Sequence, residues 1–109
     1  MRPTILQYKI AAPLTEFAPE FIQAMANRMA VSYHKYGSVT DAETVDCLGS
    51  CQMFLDLYEE DGNTERLVDA ANYLMMEFMR HGAVAFRATD SDESPGRMRL
   101  DGVVDAERN

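Results

Sequence analysis

Apolar residues recur at helical spacing in three stretches of this chain, and the clearest covers residues 63–82, NTERLVDAANYLMMEFMRHG. One face of that stretch carries the apolar residues Leu67, Ala70, Ala71, Leu74, Met75, Phe78 and Met79. Repeats of three and four residues place side chains on one side of an α-helix. The pattern therefore predicts an amphipathic helix that begins at Asn63 or Thr64 and ends at Arg80 to Gly82.

A second helix is predicted over residues 19–35, near the N-terminus. Pro19 suits the first turn, Glu20 complements the helix dipole there, and Gly37 is typical of a helix end. The apolar stripe of this helix consists of Ile22, Met25, Ala26, Met29, Tyr33 and Tyr36.

Between these two helices lies a third predicted helix, which ends at Asp61 and Gly62. Thr40 with Glu43 three residues later matches a capping box, so we expect this helix to begin there. Its apolar stripe consists of Val45, Leu48, Cys51, Leu55 and Tyr58. Gly49 lies inside it and is unfavourable relative to Ala by about 1 kcal/mol, which suggests a close helix crossing.

The short turn at Gly62 forces the last two helices into an antiparallel hairpin, which the first helix covers on one side. We therefore predict a small all-α bundle over residues 18–87, with an N-terminal arm at 1–17 and an acidic, mobile tail at 88–109. Residues 83–88, AVAFRA, fit either a short helical turn or a strand. Met76 lies opposite the main stripe of its helix, and a second apolar face favours a homodimer or higher homo-oligomer.

The composition narrows the classes of function. A length of 109 residues favours one domain, and a net charge of −8 argues against general nucleic-acid binding. No apolar run approaches the roughly 20 residues of a membrane span, and no signal-peptide core is present at the start. We expect a cytoplasmic protein without membrane or nucleic-acid partners.

The two cysteines, Cys47 and Cys51, are four residues apart. A zinc site would need two more ligands, for which His34 and His81 are the only imidazoles. Two small residues in the core are the simpler interpretation, and we adopt it.

Polar side chains form strips on the two hairpin helices. Asp69 and Asn72 lie three apart on one helix, and Gln52 and Asp56 lie four apart on the other. In an antiparallel hairpin closing at Gly62, the two pairs fall at similar heights. Oxygen ligands of this kind suit Mg²⁺. Solvated surface is the simpler interpretation of such residues, and the sequence leaves both open.

A helical hairpin with a polar pair on each helix resembles the MazG-like, all-α nucleoside triphosphate pyrophosphohydrolases. The family carries E-E-x-x-E on one helix and E-x-x-D on the next. Here QMFLD, Gln52 to Asp56, has the spacing of the first motif, and DAAN, Asp69 to Asn72, has that of the second. The segment YHKYG, residues 33–37, is similar to the KYG that closes the first helix in phage-type members.

The resemblance implies an all-α enzyme of a bacterial or phage-infected cell that hydrolyses a nucleoside triphosphate to a monophosphate and pyrophosphate. Its metal ligands for Mg²⁺ or Mn²⁺ would be Gln52, Asp56, Asp69 and Asn72. Asp56 or Asp69 would orient the attacking water. The residues that would meet the nucleotide are Arg28 and Lys35 at the phosphates and Tyr36 and Tyr73 at the base.

The motif departs from the family where Gln52 and Asn72 replace acids. Two carboxylates and two amides bind Mg²⁺ more weakly than four acids. The alternative is therefore a catalytically inactive MazG-like module that binds nucleotides or a protein. A small phage-encoded inhibitor of a host protein is a third possibility, which no motif supports.

If the resemblance extends to activity, the protein releases pyrophosphate from at least one deoxynucleoside triphosphate. Asp69→Ala then abolishes release, because only two acids remain in the motif to hold the metal and orient water. A pyrophosphate assay across the common nucleotides, with Mg²⁺ and Mn²⁺, measures this. Absence of turnover throughout contradicts the enzymatic hypothesis.

Overall fold

In the computed structural model, three helices and one small hairpin make up the secondary structure of the described residues. The described residues are 11–39, 44–80, 86–87 and 96–105. The elements in chain order are α1 (Pro19–Tyr36), α2 (Cys47–Asp61), α3 (Glu65–Met79), β1 (Arg97–Met98) and β2 (Val104–Asp105). Helices α2 and α3 pack together, which confirms the predicted small all-α bundle.

Helix α1 begins and ends where its sequence predicts. Pro19 occupies the first turn and Glu20 lies beside it. Gly37 ends the helix with a positive φ of 84°, and its N–H donates to the Tyr33 carbonyl oxygen at 2.9 Å. A residue with a side chain adopts this left-handed conformation at a cost, so Gly37 fixes the end of the helix.

Helix α2 begins later than its sequence suggests. Thr40 and Glu43 lie outside the described residues, but Thr44–Asp46 are not helical, and the helix begins at Cys47. Asp46 is the N-cap residue, and its Oδ1 accepts a hydrogen bond from the Gly49 N–H at 2.9 Å. The expected start at Thr40 was therefore wrong, because an aspartate that caps its own helix outweighs an upstream capping-box pattern.

Gly49 lies in the first turn of α2, at the position whose N–H the Asp46 cap accepts from. A Cβ built on Gly49 would collide with the Asp46 carboxylate as it now lies. With a side chain at this position, the Asp46 carboxylate would have to shift to another position.

The end of α3 secures the start of α2. Arg80 Nη2 donates to the Val45 carbonyl oxygen at 2.8 Å and contacts Cys47 Sγ at 2.9 Å. Cys47 and Cys51 are buried with free thiols, which confirms them as small core residues. One arginine thus fixes the open end of the hairpin.

The other end of the hairpin is closed by side-chain contacts in the turn. Gly62 takes a positive φ of 67° and ends α2. Asp61 accepts from the Asn63 N–H at 2.9 Å and from Arg66 Nε at 3.1 Å, and these contacts hold the pKa of Asp61 below its usual range. Asn63 Oδ1 in turn accepts from the Glu65 N–H at 3.0 Å, so Asn63 supplies the polar contact that opens α3.

The face that α3 buries overlaps the predicted one in part: Ala70 is buried as expected, and Leu67, Ala71 and Met75 are half-buried. Val68, Ala70, Asn72 and Met76 are buried, whereas the predicted stripe residue Phe78 is 61% exposed. The expectation that Met76 faces a second subunit was therefore wrong. Helix α3 carries apolar residues on two faces, and α1 covers the Met76 face within the same chain.

Helix α1 lies on α3 and buries none of its own residues fully. Its residues Ile22, Val31 and Tyr33 are exposed. An 18-residue helix with this much apolar surface in water is incompletely covered by the described part of the chain.

A hairpin that no sequence pattern predicts lies within the C-terminal segment. Strands β1 and β2 pair antiparallel around Gly102, and the Arg99 N–H donates to the Val103 carbonyl oxygen at 2.7 Å. Phe86 and Arg87 lie in neither helix nor strand, and the rest of the AVAFRA segment lies outside the described residues. None of the helices in the described ranges is long and apolar enough to cross a membrane.

The cap at Asp46 predicts an unusual response to Gly49→Ala. Asp46→Ala should lower the free energy of unfolding by about 1 kcal/mol, because the Gly49 N–H loses its acceptor. In that background Gly49→Ala should raise stability by about 1 kcal/mol through helix propensity. In the wild type the same change displaces the carboxylate, so the gain should disappear.

Chemical denaturation of the four proteins measures this coupling. Glu60→Ala, an exposed change in the same helix, serves as the control for helix propensity alone. Equal effects of Gly49→Ala in both backgrounds would show that the cap and the glycine are independent.

Candidate ligand-binding groove

A groove of about 350 Å³ lies where α1 approaches α3, with α2 contributing to its floor. Most of the residues predicted from the sequence to meet a nucleotide or metal line it: Arg28, Lys35, Tyr36, Asp69, Asn72 and Tyr73. Apolar side chains complete the lining: Met29, Val31, Val39, Val45, Phe54 and Met76. The groove therefore combines charged groups with an apolar floor, the usual composition of a small-molecule site.

An ion pair between α1 and α3 forms one edge of the groove. Arg28 Nε donates to Asp69 Oδ1 at 3.2 Å and its Nη2 donates to Oδ2 at 3.4 Å. The same guanidinium lies 3.2 Å from Glu65. The Asp69 side chain is only 12% exposed, so its charge depends on Arg28 for compensation. Asp69 is therefore engaged with a cation of its own chain.

Asn72 is the buried polar group of the groove. It is 6% exposed, and its Nδ2 donates to the Met25 carbonyl oxygen on α1 at 3.2 Å. Its Oδ1 is buried and has no hydrogen-bond partner among the described residues. A buried acceptor left without a donor costs roughly 1–3 kcal/mol, so Asn72 is a polar residue that the contact between α1 and α3 holds at a cost.

The last turn of α1 brings a second cation to the groove. Lys35 lines it and forms no ion pair with any residue in the described ranges. Tyr36 beside it is 80% exposed. Ser32 also lines the groove, and the sequence pattern does not single it out, although its spacing of four from Arg28 places both on one helix face.

The aromatic floor is built by packing between the hairpin helices. Phe54 and Tyr73 stack with ring centroids 5.6 Å apart and an angle of 19° between their planes. Tyr73 is therefore a packing residue that also presents part of its surface to the groove. This arrangement holds the ring rigidly, which favours stacking of a planar ligand.

Gln52 and Asp56 lie apart from the groove. They are exposed, and Gln52 Nε2 donates to Asp56 Oδ1 at 3.0 Å along the surface of α2. Each is two residues from Phe54, which at about 100° per residue places it on nearly the opposite side of the helix. The structure thus divides the four predicted oxygen ligands into two pairs, one in the groove and one on the outer surface.

Two of the four oxygen ligands that the resemblance implies for Mg²⁺ line the groove, namely Asp69 and Asn72. Among the described residues Asp69 is the only carboxylate of the lining, and that carboxylate is bound by Arg28. Within the described ranges no three His, Cys, Asp or Glu side chains are grouped to hold a metal ion. Mg²⁺ in proteins is bound by one or two carboxylates together with phosphates and water, so Asp69 would have to leave Arg28 before it could hold such an ion.

The chain matches no protein-family model, no curated protein and no solved structure. The residues of the groove are therefore the basis on which a function is proposed.

Proposed function

We propose that the groove binds a nucleotide, and that the protein is a MazG-like nucleotide-binding module without a catalytic metal centre. The observation that supports this most is the separation of the predicted residues. Those that would meet a nucleotide share one groove, whereas Gln52 and Asp56 lie on the outer surface of α2. Binding needs only the first group, and metal-dependent hydrolysis needs both.

The phosphates would bind at the α1 side of the groove. Lys35 brings a positive charge that no residue of the described ranges pairs with, and Ser32 brings a hydroxyl donor one turn away. Arg28 presents a guanidinium that already lies between two carboxylates and can turn one of its N–H groups to a phosphate oxygen. Arg28 and Lys35 are the two positive charges that an anion in the groove would meet, beside the carboxylates of Asp69 and Glu65.

The base would lie on the apolar floor. The Tyr73 ring stacks on the Phe54 ring, and Met29 and Met76 add polarisable apolar surface to the groove. Tyr36 lines the groove and is 80% exposed, so its ring would lie beside a planar ligand bound there. A ligand with a planar base and an anionic phosphate end would fit a groove that has an apolar floor and two cations on α1.

Hydrolysis is the second candidate, because Asp69 lies in the same groove as the proposed phosphate ligands. In that case, a metal–triphosphate complex would have to draw Asp69 away from Arg28. The pyrophosphate assay with Asp69→Ala distinguishes this activity from binding alone.

Lys35→Gln should weaken nucleotide binding by about tenfold or more, because a charge-assisted contact to a phosphate contributes roughly 1.5–3 kcal/mol. Isothermal titration calorimetry with the four common ribonucleoside triphosphates, in the absence of metal, measures the affinity. Raising the salt concentration should weaken the same binding.

Arg97→Gln is the matched control, since it removes the same charge from the exposed hairpin. Equal weakening by both variants would mean non-specific attraction of an anion. Failure of every triphosphate to bind the wild type would overturn the proposal.

We also propose that the module is a homodimer in which a second copy covers α1. The exposed apolar residues Ile22, Val31 and Tyr33 support this, as does the lack of fully buried residues along α1.

Sedimentation should give twice the chain mass of 12.3 kDa. Ile22→Glu should shift the protein to monomer, whereas Leu100→Glu in the hairpin should not. A monomeric wild type contradicts this.

A further inference from the structure

We propose that the hairpin of α2 and α3 docks a cationic, amphipathic helix of a partner protein on the side that faces away from the groove. Five large apolar side chains on this side lie in water: Leu48, Leu55, Leu74, Phe78 and Phe86. These five residues are called the apolar face below. None of them lines the groove, so the docking is independent of nucleotide binding.

The geometry of the hairpin brings the two central leucines of the apolar face together. Phe54 and Tyr73 stack on each other and line the groove. Leu55 and Leu74 directly follow them in the chain, and one residue turns a side chain by about 100° around a helix. Because α2 and α3 are antiparallel, the two rotations run in opposite senses when seen from one end. Both leucines therefore lie on the same side of the hairpin, away from the groove.

The other members extend the apolar face toward the open end of the hairpin. Leu48 lies two turns before Leu55 on α2, and Phe78 lies one turn after Leu74 on α3. The rings of Phe78 and Phe86 are neighbours, with centroids 6.5 Å apart. The exposed fractions run from 36% at Leu55 to 78% at Phe86, so the described part of the chain leaves this side open to solvent.

The extent of the apolar face is large enough for a binding surface. Five large side chains that are each about half exposed present on the order of 500 Å² of apolar surface, and a patch of this size on a monomer is often functional. The members follow two helices at spacings of four and seven residues. An amphipathic helix, whose own apolar residues recur at these spacings, matches such a surface.

The charge beside the apolar face is negative. Glu59 lies one turn beyond Leu55 on α2 and Asp56 lies next to that leucine, and both acids are exposed. Helix α2 contains four acids and no lysine or arginine, and the one cation of α3, Arg66, pairs with Asp61. Cations that face these carboxylates would therefore come from the partner, together with its apolar side chains.

A second copy of this chain complements that charge less well. A symmetric contact brings identical surfaces together. The cation that such a copy would add is Arg87, beside Phe86, and it would face both Asp56 and Glu59. Acids left without a cation would lose water in the contact at a cost, whereas a helix with several lysines or arginines would pair with all of them.

The test uses a synthetic peptide of about 18 residues of leucine and lysine, with the leucines at helical spacing so that they form one apolar side. A second peptide has the same composition in an order that gives no apolar side. The full chain should bind the first at least about tenfold more tightly than the second, because only the first can place its leucines on the apolar face. Fluorescence anisotropy of the labelled peptides measures both affinities.

Leu74→Gln should weaken binding of the amphipathic peptide by about tenfold, because it removes an apolar anchor from the centre of the face. Leu100→Gln is the matched control, since it removes an exposed leucine from the β1–β2 hairpin. Glu59→Gln should weaken binding by a few fold, as expected for an exposed ion pair, and Glu16→Gln, which removes the same charge outside the hairpin, should not.

Equal binding of the two peptides would mean attraction to the net charge of −8 alone and would overturn the inference. Failure of both to bind would do the same, and it is the result expected if another segment of this chain covers the face. A lower sedimentation mass for Leu74→Gln than for the wild type would show that a second copy occupies the face instead. Nucleotide affinity is measured separately, so each of these results leaves the proposed function of the groove standing.

Discussion

The hydrogen bond from Asn72 to the Met25 carbonyl oxygen and the ion pair between Arg28 and Asp69 hold α1 against α3. Both contacts are polar, in a place where most small bundles use apolar packing. Helix α1 therefore lies beside α3 with a groove of about 350 Å³ between them. The placement of every residue in the proposed site follows from this polar attachment.

Local chemistry in the sequence predicts the helix ends well where a glycine decides them. Gly37 and Gly62 both take positive φ and end α1 and α2 as expected. The start of α2 is missed, because Thr40 with Glu43 and Asp46 with Gly49 are rival caps that the sequence alone does not rank. The additional contact from Arg80 to Val45 and Cys47, which comes from the far end of α3, supports the later start.

The rotation of α3 limits what the sequence predicts about the site. Its apolar residues lie on two faces, so periodicity indicates a helix without deciding which face meets which neighbour. Asp69 and Asn72 were expected to face Gln52 and Asp56, but they face α1. Spacing fixes which residues share a strip of one helix, and it leaves the partner helix open. The resemblance implies that Arg28 and Lys35 act together with Asp69 and Asn72. All four residues line the groove.

The hairpin of α2 and α3 is fastened at more points than α1 is. Side-chain contacts close it at both ends, at Asp61 with Arg66 and at Arg80 with Cys47, whereas α1 packs mainly against α3 in the described part of the chain. We therefore expect α1 to open before the α2–α3 hairpin does. The groove lies between α1 and this hairpin. A ligand that contacts both α1 and the hairpin stabilises the packed position of α1, and it does so more strongly as its concentration rises. Occupancy of the groove would therefore make α1 more ordered.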